Sequence, residues 1–257
     1  MALTAQAAWL RCLAAADYPQ VVTGGGFAVA TGSASNFENG AVITPSVLDR
    51  PGELEVLVAW LRDQAVPASV IVTAPPSPAA VAQLLDQGLT PENTGNDMGR
   101  RLNDADAHPG ELAADRWQIT EVIDETALRE NHGVYAADGW WDEPGDGLEH
   151  HLQRAARLGY GPGRPVRHWT AFHQQIPVGA ATSFVFVDTV LLAYCCVSAT
   201  WRRHGVGTAL TRVRLAAAVD QGAVQGVLFP SPDGYQLHRT LGFDLMPVHP
   251  NRCFYLR

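Results

Sequence analysis

The stretch Val197-Ser-Ala-Thr-Trp-Arg-Arg-His-Gly-Val-Gly-Thr-Ala-Leu210 follows the apolar run Val190–Val197 and leads into apolar residues at helical spacing. The run predicts a strand and the spacing predicts a helix, so the basic residues between them form a strand-to-helix loop. Gly205 and Gly207 tolerate positive φ and let the backbone approach a ligand closely. Because the first free N–H groups of a helix carry about half a positive charge, the loop predicts a phosphate site at the helix start.

Two other phosphate loops fit the same residues poorly. A P-loop places Lys and then Ser or Thr after its second glycine, whereas Thr208 and Ala209 follow Gly207. A dinucleotide-binding fingerprint requires a third glycine or an alanine where Leu210 stands, and an acidic residue about 20 residues later. These mismatches indicate an anion loop of another kind.

The residues Arg202-x-x-Gly205-x-Gly207, preceded by Val197-x-Ala199, resemble the pyrophosphate loop of the GCN5-related N-acetyltransferases (GNAT). In that family a Val-x-Pro strand end leads into Arg/Gln-x-x-Gly-x-Gly/Ala. Ala199 in place of the proline is a mild departure from this pattern.

A second motif that resembles the family follows the loop. A short apolar strand, Gly226–Phe229, leads to Ser231-Pro232, a capping residue and a proline suited to the first turn of a helix. This helix is predicted to stop at Gly242-Phe243, where the family has a Tyr-x-x-x-Gly-Phe pattern. The resemblance covers roughly residues 116–257.

The resemblance implies an acetyl-CoA-dependent N-acetyltransferase. Such an enzyme passes an acetyl group to the amine of a small molecule by direct attack on the thioester, and it needs no metal. It implies that backbone groups at the strand end hold the pantetheine arm and the thioester carbonyl, while the loop holds the pyrophosphate. The residues expected to bind acetyl-CoA are Cys196, Val197, Ser198, Arg202, Arg203, His204, Gly205, Val206, Gly207 and Thr208.

Proton transfer is where the sequence departs most from the family. The family commonly places a Tyr four residues before the glycine of Gly-Phe, and His238 stands there. A histidine can carry the proton, since its unperturbed pKa is near 6.5. Tyr235 is the alternative donor. Because Thr189–Val197 lacks the general-base Glu that family members often carry, the candidate bases are Glu143, Asp138, Asp142, His173 and a water chain.

The acceptor site is expected between the first two helices of the second module, predicted within Glu125–Tyr135 and Leu148–Leu158. In the resembled family this segment shapes the acceptor site. Here it places two adjacent tryptophans among acidic residues, which is a costly surface to expose to water without a role. The predicted acceptor-binding residues are Trp140, Trp141 and Asp142, and the alternative is that the tryptophans only cover the core.

An internal repeat organises the whole chain. The helix start Ser77-Pro78 and the glycine stop Gly88 recur after a shift of 154 residues. The same shift places Ile43-Thr44-Pro45 on Val197-Ser198-Ala199. One gap-free shift that matches a strand end, a capped helix and a glycine stop indicates a tandem pair.

The two copies differ at the loop. At this shift Gly205 falls on Pro51 and Gly207 on Glu53, so the first copy offers a carboxylate where a phosphate would sit. Too few residues precede its first strand to form the front helices. We therefore expect an α/β fold of mixed sheets in two tandem GNAT-like modules: a degenerate, truncated module at 1–103 without the acetyl-CoA loop, a linker at 104–115 and a catalytic module at 116–257.

Composition limits the partners. The chain has 257 residues and a formal net charge of −8, with no basic stripe beyond the Arg202-Arg203 pair, which disfavours nucleic acid and favours a small, cationic substrate. Four cysteines without zinc spacing, with Cys195 and Cys196 on opposite faces of one strand, indicate reduced thiols and a cytoplasmic protein. No signal peptide is predicted, and Asp188 makes Ile176–Trp201 a hairpin rather than a membrane span. The oligomeric state is left open.

Two other function classes fit the same residues. The missing tyrosine and the missing strand carboxylate suit a non-catalytic acyl-CoA-binding or regulatory module. The small residues Ala180 and Ala181 permit an acyltransferase that uses a longer acyl-CoA. Binding without turnover would favour the first class, and competition between acetyl-CoA and longer acyl-CoAs would identify the second.

Overall fold

The structure, a computed structural model, describes residues 4–50, 52–92, 97–108, 117–140, 147–247 and 252–256. It divides into two compact units, Met1–Asp97 with Met246–Arg257 and Met98–Leu245. None of the helices in the described ranges is long and apolar enough to cross a membrane.

Helices and strands alternate along the chain, and the predicted mixed α/β fold is confirmed. The first elements are α1 (Ala5–Ala15), β1 (Gln20–Val22), β2 (Gly26–Ala30), β3 (Asn39–Ile43), α2 (Pro45–Leu48), α3 (Glu53–Asp63), β4 (Ala68–Val72), α4 (Pro78–Asp86) and β5 (Thr90–Glu92). They are followed by β6 (Met98–Arg101), β7 (Gln118–Glu121), α5 (Glu125–Ala137), α6 (Leu148–Leu158), β8 (Val166–His173), β9 (Ile176–Phe186), β10 (Thr189–Val197), α7 (Val206–Val219), β11 (Gln225–Leu228), α8 (Pro232–Thr240), β12 (Asp244–Leu245) and β13 (Cys253–Leu256). Short 3₁₀ helices lie at Asp104–Ala107 and Ala199–Trp201.

The sheet of the first unit has the strand order β1-β2-β3-β4-β13-β5. β3 and β4 run parallel, and the other neighbours are antiparallel. The helical spacing of apolar residues predicts α3, which buries Leu54, Leu57, Val58 and Leu61 in a core that includes Phe254 of β13. Each fully buried leucine contributes roughly 1.5–3 kcal/mol relative to exposure, so this face holds α3 on its sheet.

The sheet of the second unit has the strand order β12-β6-β11-β10-β9-β8-β7, in which β10 and β11 run parallel. Its two main helices lie on opposite faces. Cys196 is buried against Tyr135 of α5, whereas Cys195 packs in the cluster that contains Val206 and Leu210 of α7. The predicted hairpin is β9 and β10, and the predicted opposite orientation of the two cysteines is confirmed, with all four cysteines free.

The two sheets repeat one arrangement. The strands β1-β2-β3-β4 correspond in order and direction to β8-β9-β10-β11, and α4 corresponds to α8. The first unit has one helix before its first strand, α1, which contacts β2 and β3 as α5 contacts β9 and β10, so the expectation that this copy lacks the front helices is wrong for the first of them. Among its described residues, this unit has no counterpart of α6. Beside β4 and beside β11, each sheet contains a strand from the other repeat. β13 lies between β4 and β5, and β6 lies between β11 and β12. Each repeat therefore contributes its last strand to the sheet of the other.

Because of this exchange, the boundaries of the two units differ from the module boundaries predicted at 103 and 116. β6 lies inside the predicted first module but belongs to the second unit, and β13 shows the reverse relation. The predicted linker begins with the 3₁₀ helix Asp104–Ala107, which Asn103 caps and which lies against α7. Residues 109–115 lie outside the described ranges. Local sequence patterns mark where strands occur but not which sheet they join, which is why the boundaries differ.

The start of α3 changes the predicted alignment of the two loops. Gly52 has a φ of +90° at the N-cap of α3, and Gly205 has a φ of +90° at the N-cap of α7. These glycines are structural equivalents, one residue away from the predicted match. Glu53 is the first residue of α3, and its carboxylate accepts hydrogen bonds from the Gly25 N–H at 3.1 Å and from Arg50 at 3.0 Å. The first copy thus presents a carboxylate beside its helix start.

Candidate active site

β10 leaves its parallel neighbour halfway along its length. The ladder with β11 runs from Thr189 to Leu192, whereas the ladder with β9 continues to Val197. Among the described strands, β10 therefore has a neighbour on one side only beyond Leu192. Backbone groups on the open side are donors and acceptors that a ligand can use. This open end includes Cys196 and Val197, which the resemblance assigns to the thioester and the pantetheine arm.

A β-bulge marks the point where β10 leaves β11. The register with β9 shifts between Ala193 and Cys195, and Tyr194 between them has a φ of +43°. A left-handed φ is rare for a bulky residue and costs on the order of 1–3 kcal/mol, so it persists only where the surroundings hold it. The contacts of this residue therefore matter for the shape of the site.

Two buried side chains hold the carbonyl groups of the bulge. The Tyr135 hydroxyl, from α5, donates to the Tyr194 carbonyl at 2.6 Å. The Arg214 Nη1 group, from α7, donates to the Ala193 carbonyl at 3.1 Å and to the Thr182 carbonyl of β9 at 3.0 Å. Since α5 and α7 lie on opposite faces of the sheet, the bulge is held from both sides.

The loop after β10 turns the chain into α7. Arg203 has a φ of +64° and Gly205 a φ of +90°, and α7 begins at Val206. The first N–H groups of α7 have no acceptor within the helix. A Cβ atom on Gly207 would lie 3.0 Å from Leu237 Cδ1, so the first turn of α7 stands close against α8. The loop has the geometry of an anion site at a helix start.

The side chains of this loop differ in their surroundings. Arg203 and His204 are exposed, and Thr208 is half-buried in the first turn of α7. His204 Nδ1 lies 2.7 Å from the Arg202 carbonyl oxygen. The Ser198 N–H donates to the Val178 carbonyl of β9 at 3.0 Å. Among the described residues Arg203 has no ion-pair partner, so its charge is available at the helix start.

Arg202 faces α5 rather than the helix start. Its Nη2 atom lies 2.9 and 2.7 Å from the two carboxylate oxygens of Asp138, and its Nε donates to the Val197 carbonyl at 3.1 Å. Cys196 Sγ lies 3.5 Å from Asp138 Oδ2. Burial, and then the charge of Asp138, raise the pKa of the Cys196 thiol. Asp138 therefore ties the end of α5 to both the open end of β10 and the loop.

α5 ends in a Schellman motif that positions Trp140. The Trp140 N–H donates to the Tyr135 carbonyl at 3.0 Å, and the N–H of Gly139, at a φ of +77°, donates to the Ala136 carbonyl at 3.1 Å. The Trp140 ring lies 5.5 Å from the Tyr135 ring and is 40% exposed. Outside the described residues lie the other predicted acceptor and base residues, Trp141, Asp142 and Glu143.

α8 carries both predicted proton donors. Ser231 caps the helix, as predicted, and its side chain accepts from the Gly234 N–H at 3.1 Å. Tyr235 is half-buried and packs against a cluster that contains Leu192 and Phe243. Both donor candidates thus stand on a helix whose start is fixed by its cap.

His238 lies on the buried side of α8 and is 9% exposed. Its ring is 5.9 Å from the Phe243 ring, and its Nδ1 atom has no hydrogen-bond partner in the described part of the chain. Burial, and then the guanidinium of Arg214, lower the pKa of His238 to about 4. The imidazole is therefore neutral at pH 7.

Tyr135 and Arg214 were not among the residues that the sequence analysis singled out. Arg214 follows Leu210 by four positions on the buried stripe of α7, and Tyr135 follows Leu128 by seven positions on the buried stripe of α5. A charge within an apolar helical stripe is the signal by which the sequence could have indicated Arg214. The role of Tyr135 had no comparable signal, because an aromatic residue in such a stripe is ordinary.

The histidines outside α8 are mostly structural. His151 is buried on α6, and its neighbour His150 is half-buried. His173, an alternative base, packs with its ring 4.4 Å from the Trp201 ring. The burial of His151 and the ring contact of His173 are packing roles.

The comparisons with known proteins concern both the site and the fold. A family model described as "Acetyltransferase (GNAT) family" matches residues 134–243. Among solved structures, a GCN5-related N-acetyltransferase from Kribbella flavida has a TM-score of 0.67 and 18% identity over 99% of this chain and 95% of that one. A functionally unknown conserved protein from Staphylococcus epidermidis ATCC 12228 has a TM-score of 0.59 and 12% identity, over 93% and 92% of the two chains.

A GCN5-related N-acetyltransferase from Sphaerobacter thermophilus has a TM-score of 0.52 and 16% identity, over 90% of this chain and 76% of that one. No curated protein matches the sequence. At these identities the likeness is one of fold, and it extends over both units.

Proposed function

We propose that the chain transfers an acetyl group from acetyl-CoA to the amine of a small molecule, and the match of residues 134–243 to the acetyltransferase (GNAT) family model supports this proposal. The observation that carries the proposal is the open end of β10, which runs directly into the glycine loop at the start of α7. An open strand edge followed by a helix-start anion site suits a ligand with a thioester arm at one end and a pyrophosphate at the other.

The residues of the loop fit the pyrophosphate of acetyl-CoA. The N–H groups of Val206, Gly207 and Thr208 stand in the first turn of α7, where helix geometry provides no acceptor. Arg203 adds a positive charge that no carboxylate of the described residues neutralises. Gly205 supports this turn because its φ of +90° would strain any side chain.

The remaining residues of the predicted site divide into two groups. We propose that Cys196 and Val197 hold the pantetheine arm through their backbone at the open edge of β10. The N–H of Ser198 is already bonded to β9, and Arg202 is paired with Asp138, so these two shape the loop and do not bind phosphate directly. His204 borders the loop from the solvent side.

His238 suits the proton exchange that acetyl transfer requires. Bound acetyl-CoA supplies an activated acyl carbon, and the exchange must remove one proton from the amine nitrogen and return one to the departing sulfur. A neutral imidazole has one N–H and one bare nitrogen, so it can take a proton at one nitrogen while it releases another. The pKa of about 4 keeps His238 in that form at pH 7. Tyr235 is the second candidate for the donor.

Trp140 and Asp138 support an acceptor site at the end of α5. The Trp140 ring is partly exposed and rests on Tyr135, whose hydroxyl reaches the β10 bulge. Asp138 lies beside Cys196 at the open strand end, where its carboxylate is paired with Arg202, so the negative charge that attracts an acceptor comes from the chain as a whole. With a formal net charge of −8 for the whole chain, these features favour a basic amine as the acceptor.

Calorimetric titration with acetyl-CoA tests the proposal. We expect one site per chain, because the first copy presents the Glu53 carboxylate beside its helix start. Gly207→Glu should abolish binding by placing a carboxylate where the pyrophosphate would lie. Val187→Glu is the matched control, since it adds the same charge on an exposed residue in the turn before β10, and it should bind like the parent.

A mass-spectrometric screen of amines with acetyl-CoA then tests the transfer itself. The expected product is an N-acetylated small amine. One binding site with no product from any amine would favour a non-catalytic acyl-CoA-binding module, and preferred turnover with longer acyl-CoAs would favour a different acyl donor. Two equivalent binding sites would contradict the assignment of a single acetyl-CoA loop.

A further inference from the structure

Arg214 is a buried guanidinium that has no counter-ion among the described residues. It is 1% exposed, and its donors go to the carbonyls of Leu210, Thr182 and Ala193 and to the Thr211 hydroxyl, at 3.0 to 3.2 Å. In the described part of the chain no carboxylate pairs with it. An unpaired buried charge is costly, so its presence beside the open strand calls for an explanation.

Tyr135 approaches the same bulge from the other face of the sheet. Its hydroxyl donates to the Tyr194 carbonyl at 2.6 Å. Burial raises the pKa of the Tyr135 phenol well above its ordinary value, and a hydrogen bond with Thr182 opposes that rise only in part, so the phenol stays a donor. The Thr182 hydroxyl also lies 2.8 Å from His168 Nδ1. Thr182 therefore connects both side chains that hold the bulge.

Resting on the acetyl transfer proposed above, we propose that Tyr135 and Arg214 are positioning residues: they fix the carbonyls of the β10 bulge and thereby orient the open end of the strand, beneath which Arg214 places an uncompensated positive charge. Neither side chain transfers a proton. Both act through the backbone of Ala193 and Tyr194.

The bulge decides which way the end of β10 faces. Tyr194 is held at a φ of +43°, and the pairing with β9 shifts by one residue at this point. If either carbonyl lost its donor, Tyr194 would be free to relax to extended backbone and the shift would disappear. A change of one residue in register turns every following side chain to the other face, so Cys195–Val197 would present different backbone groups to the ligand.

The charge of Arg214 suits the chemistry at this end of the strand. Acyl transfer develops negative charge on the thioester oxygen and then on the sulfur. A fixed positive charge in a water-poor environment stabilises such developing charge without reorganisation. The positive charge of Arg214 also acts on His238 of α8, whose pKa it lowers, as a cause second to burial.

Three variants separate the two roles. Tyr135→Phe removes one hydrogen bond and keeps the charge, Arg214→Lys keeps the charge but loses the planar fork, and Arg214→Gln loses the charge. Arg212→Gln, on the exposed side of the same helix, is the matched control. For each full-length variant we measure kcat, the KM for acetyl-CoA, and amide hydrogen exchange at Cys195–Val197 without substrate.

We expect Tyr135→Phe and Arg214→Lys to lower kcat by about tenfold, and Arg214→Gln by about 10²-fold or more, the usual effect of losing one preorganised donor. The KM for acetyl-CoA should rise as well, because the displaced end of β10 holds the pantetheine arm, but Gly207→Glu should weaken binding far more, because the pyrophosphate loop is untouched in these variants. Amide exchange at Cys195–Val197 should rise about tenfold or more in Tyr135→Phe, while the Val190 amide, which faces β11, stays protected.

Two results overturn the proposal. Unchanged exchange at Cys195–Val197 in Tyr135→Phe removes the positioning role, and equal kcat values for Arg214→Lys and Arg214→Gln remove the role of the charge. If Arg214→Gln does not fold, a loss beyond about 10²-fold in Arg214→Lys contradicts the charge role, because that variant keeps the charge. Exchange is measured without substrate, so it decides the positioning role even if the parent protein acetylates no amine, an outcome that counts against the proposed function alone.

Discussion

At the scale of single residues, His238 offers the most direct test of proton exchange. His238→Ala should lower kcat by about 10²-fold or more, the usual contribution of a positioned proton-transfer group, with little change in the KM for acetyl-CoA. His238→Tyr should retain activity, since a phenol keeps its proton up to about pH 10. Steady-state kinetics measure both. Gln236→Ala, on the exposed side of α8, should match the parent, and a fully active His238→Ala would assign the exchange to Tyr235 or water.

The residues that sequence reasoning identified are those with local signals. Gly205 is required by the backbone conformation at its own position, and Ser231 caps the helix that follows it. Tyr135 and Arg214 act on a bulge formed by distant residues, and nothing near them in the sequence encodes that bulge. The pairing of Arg202 with Asp138 was missed for the same reason, because it joins α5 to a loop far along the chain.

At the scale of elements, β13 should be as important to the first unit as any of its own strands. Phe254 is fully buried in the core of that unit, together with α3 and α4 residues. Phe254→Ala should lower the free energy of unfolding by about 3–5 kcal/mol, the usual cost of a large cavity. Phe229→Ala removes the same ring from an exposed position and should change it by less than about 0.5 kcal/mol. Urea denaturation of both variants measures the difference, and equal midpoints would contradict the role of β13.

Helices and strands with a clear hydrophobic period or a capping residue were predicted from the sequence, whereas the pairing of strands within each sheet was not. The spacing of Leu54, Leu57 and Leu61 predicts α3, and alternating β-branched residues predict the β9 and β10 hairpin. β6 and β13 are short strands that pair through backbone groups, and these are alike in every strand. The sequence pattern therefore could not indicate that each strand joins the sheet of the other repeat.

At the scale of the whole molecule, acid should affect the two units in opposite directions. Burial lowers the pKa of His132 to about 4 and that of His168 to about 3, with His238 also at about 4. Because these values lie below the unfolded value near 6.5, the stability that the neutral imidazoles provide is complete above about pH 6.5 and is lost as pH falls toward 4. Each should cost the second unit on the order of 1–2 kcal/mol between pH 7 and pH 5.

In the first unit burial raises the pKa of Asp97 to about 6, opposed by the Ala5 N–H and Arg252. Its folded pKa lies above its unfolded value, so stability is complete below about pH 4 and is lost as pH rises through 6. Hydrogen exchange at pH 7 and pH 5, corrected for intrinsic rates, should show protection falling in Met98–Leu245 and not in the other unit. The exposed His204→Gln is the control and should leave this contrast unchanged.

The exchange of strands also predicts how fragments behave. The fragment 1–103 lacks β13, which leaves β4 with an unpaired edge and removes Phe254 and Leu256 from the core. It should not unfold cooperatively in urea. Joining 1–97 to 246–257 should restore cooperative unfolding, since the Met246 N–H donates to the Asp97 carbonyl at 2.8 Å and the two ends are adjacent. A cooperative transition in 1–103 alone would contradict this account.

The pairing of Val70 with Phe254 also bears on how the protein is made. A ribosome adds about 5–20 residues per second, so β4 waits on the order of ten seconds or more for the strand that lies beside it. β6 waits in the same way for β11. The sheet of the first unit therefore cannot be completed until the last strand of the chain has been translated. During most of synthesis β4 and β6 expose unpaired edges, and chaperone binding at that stage would protect them from aggregation.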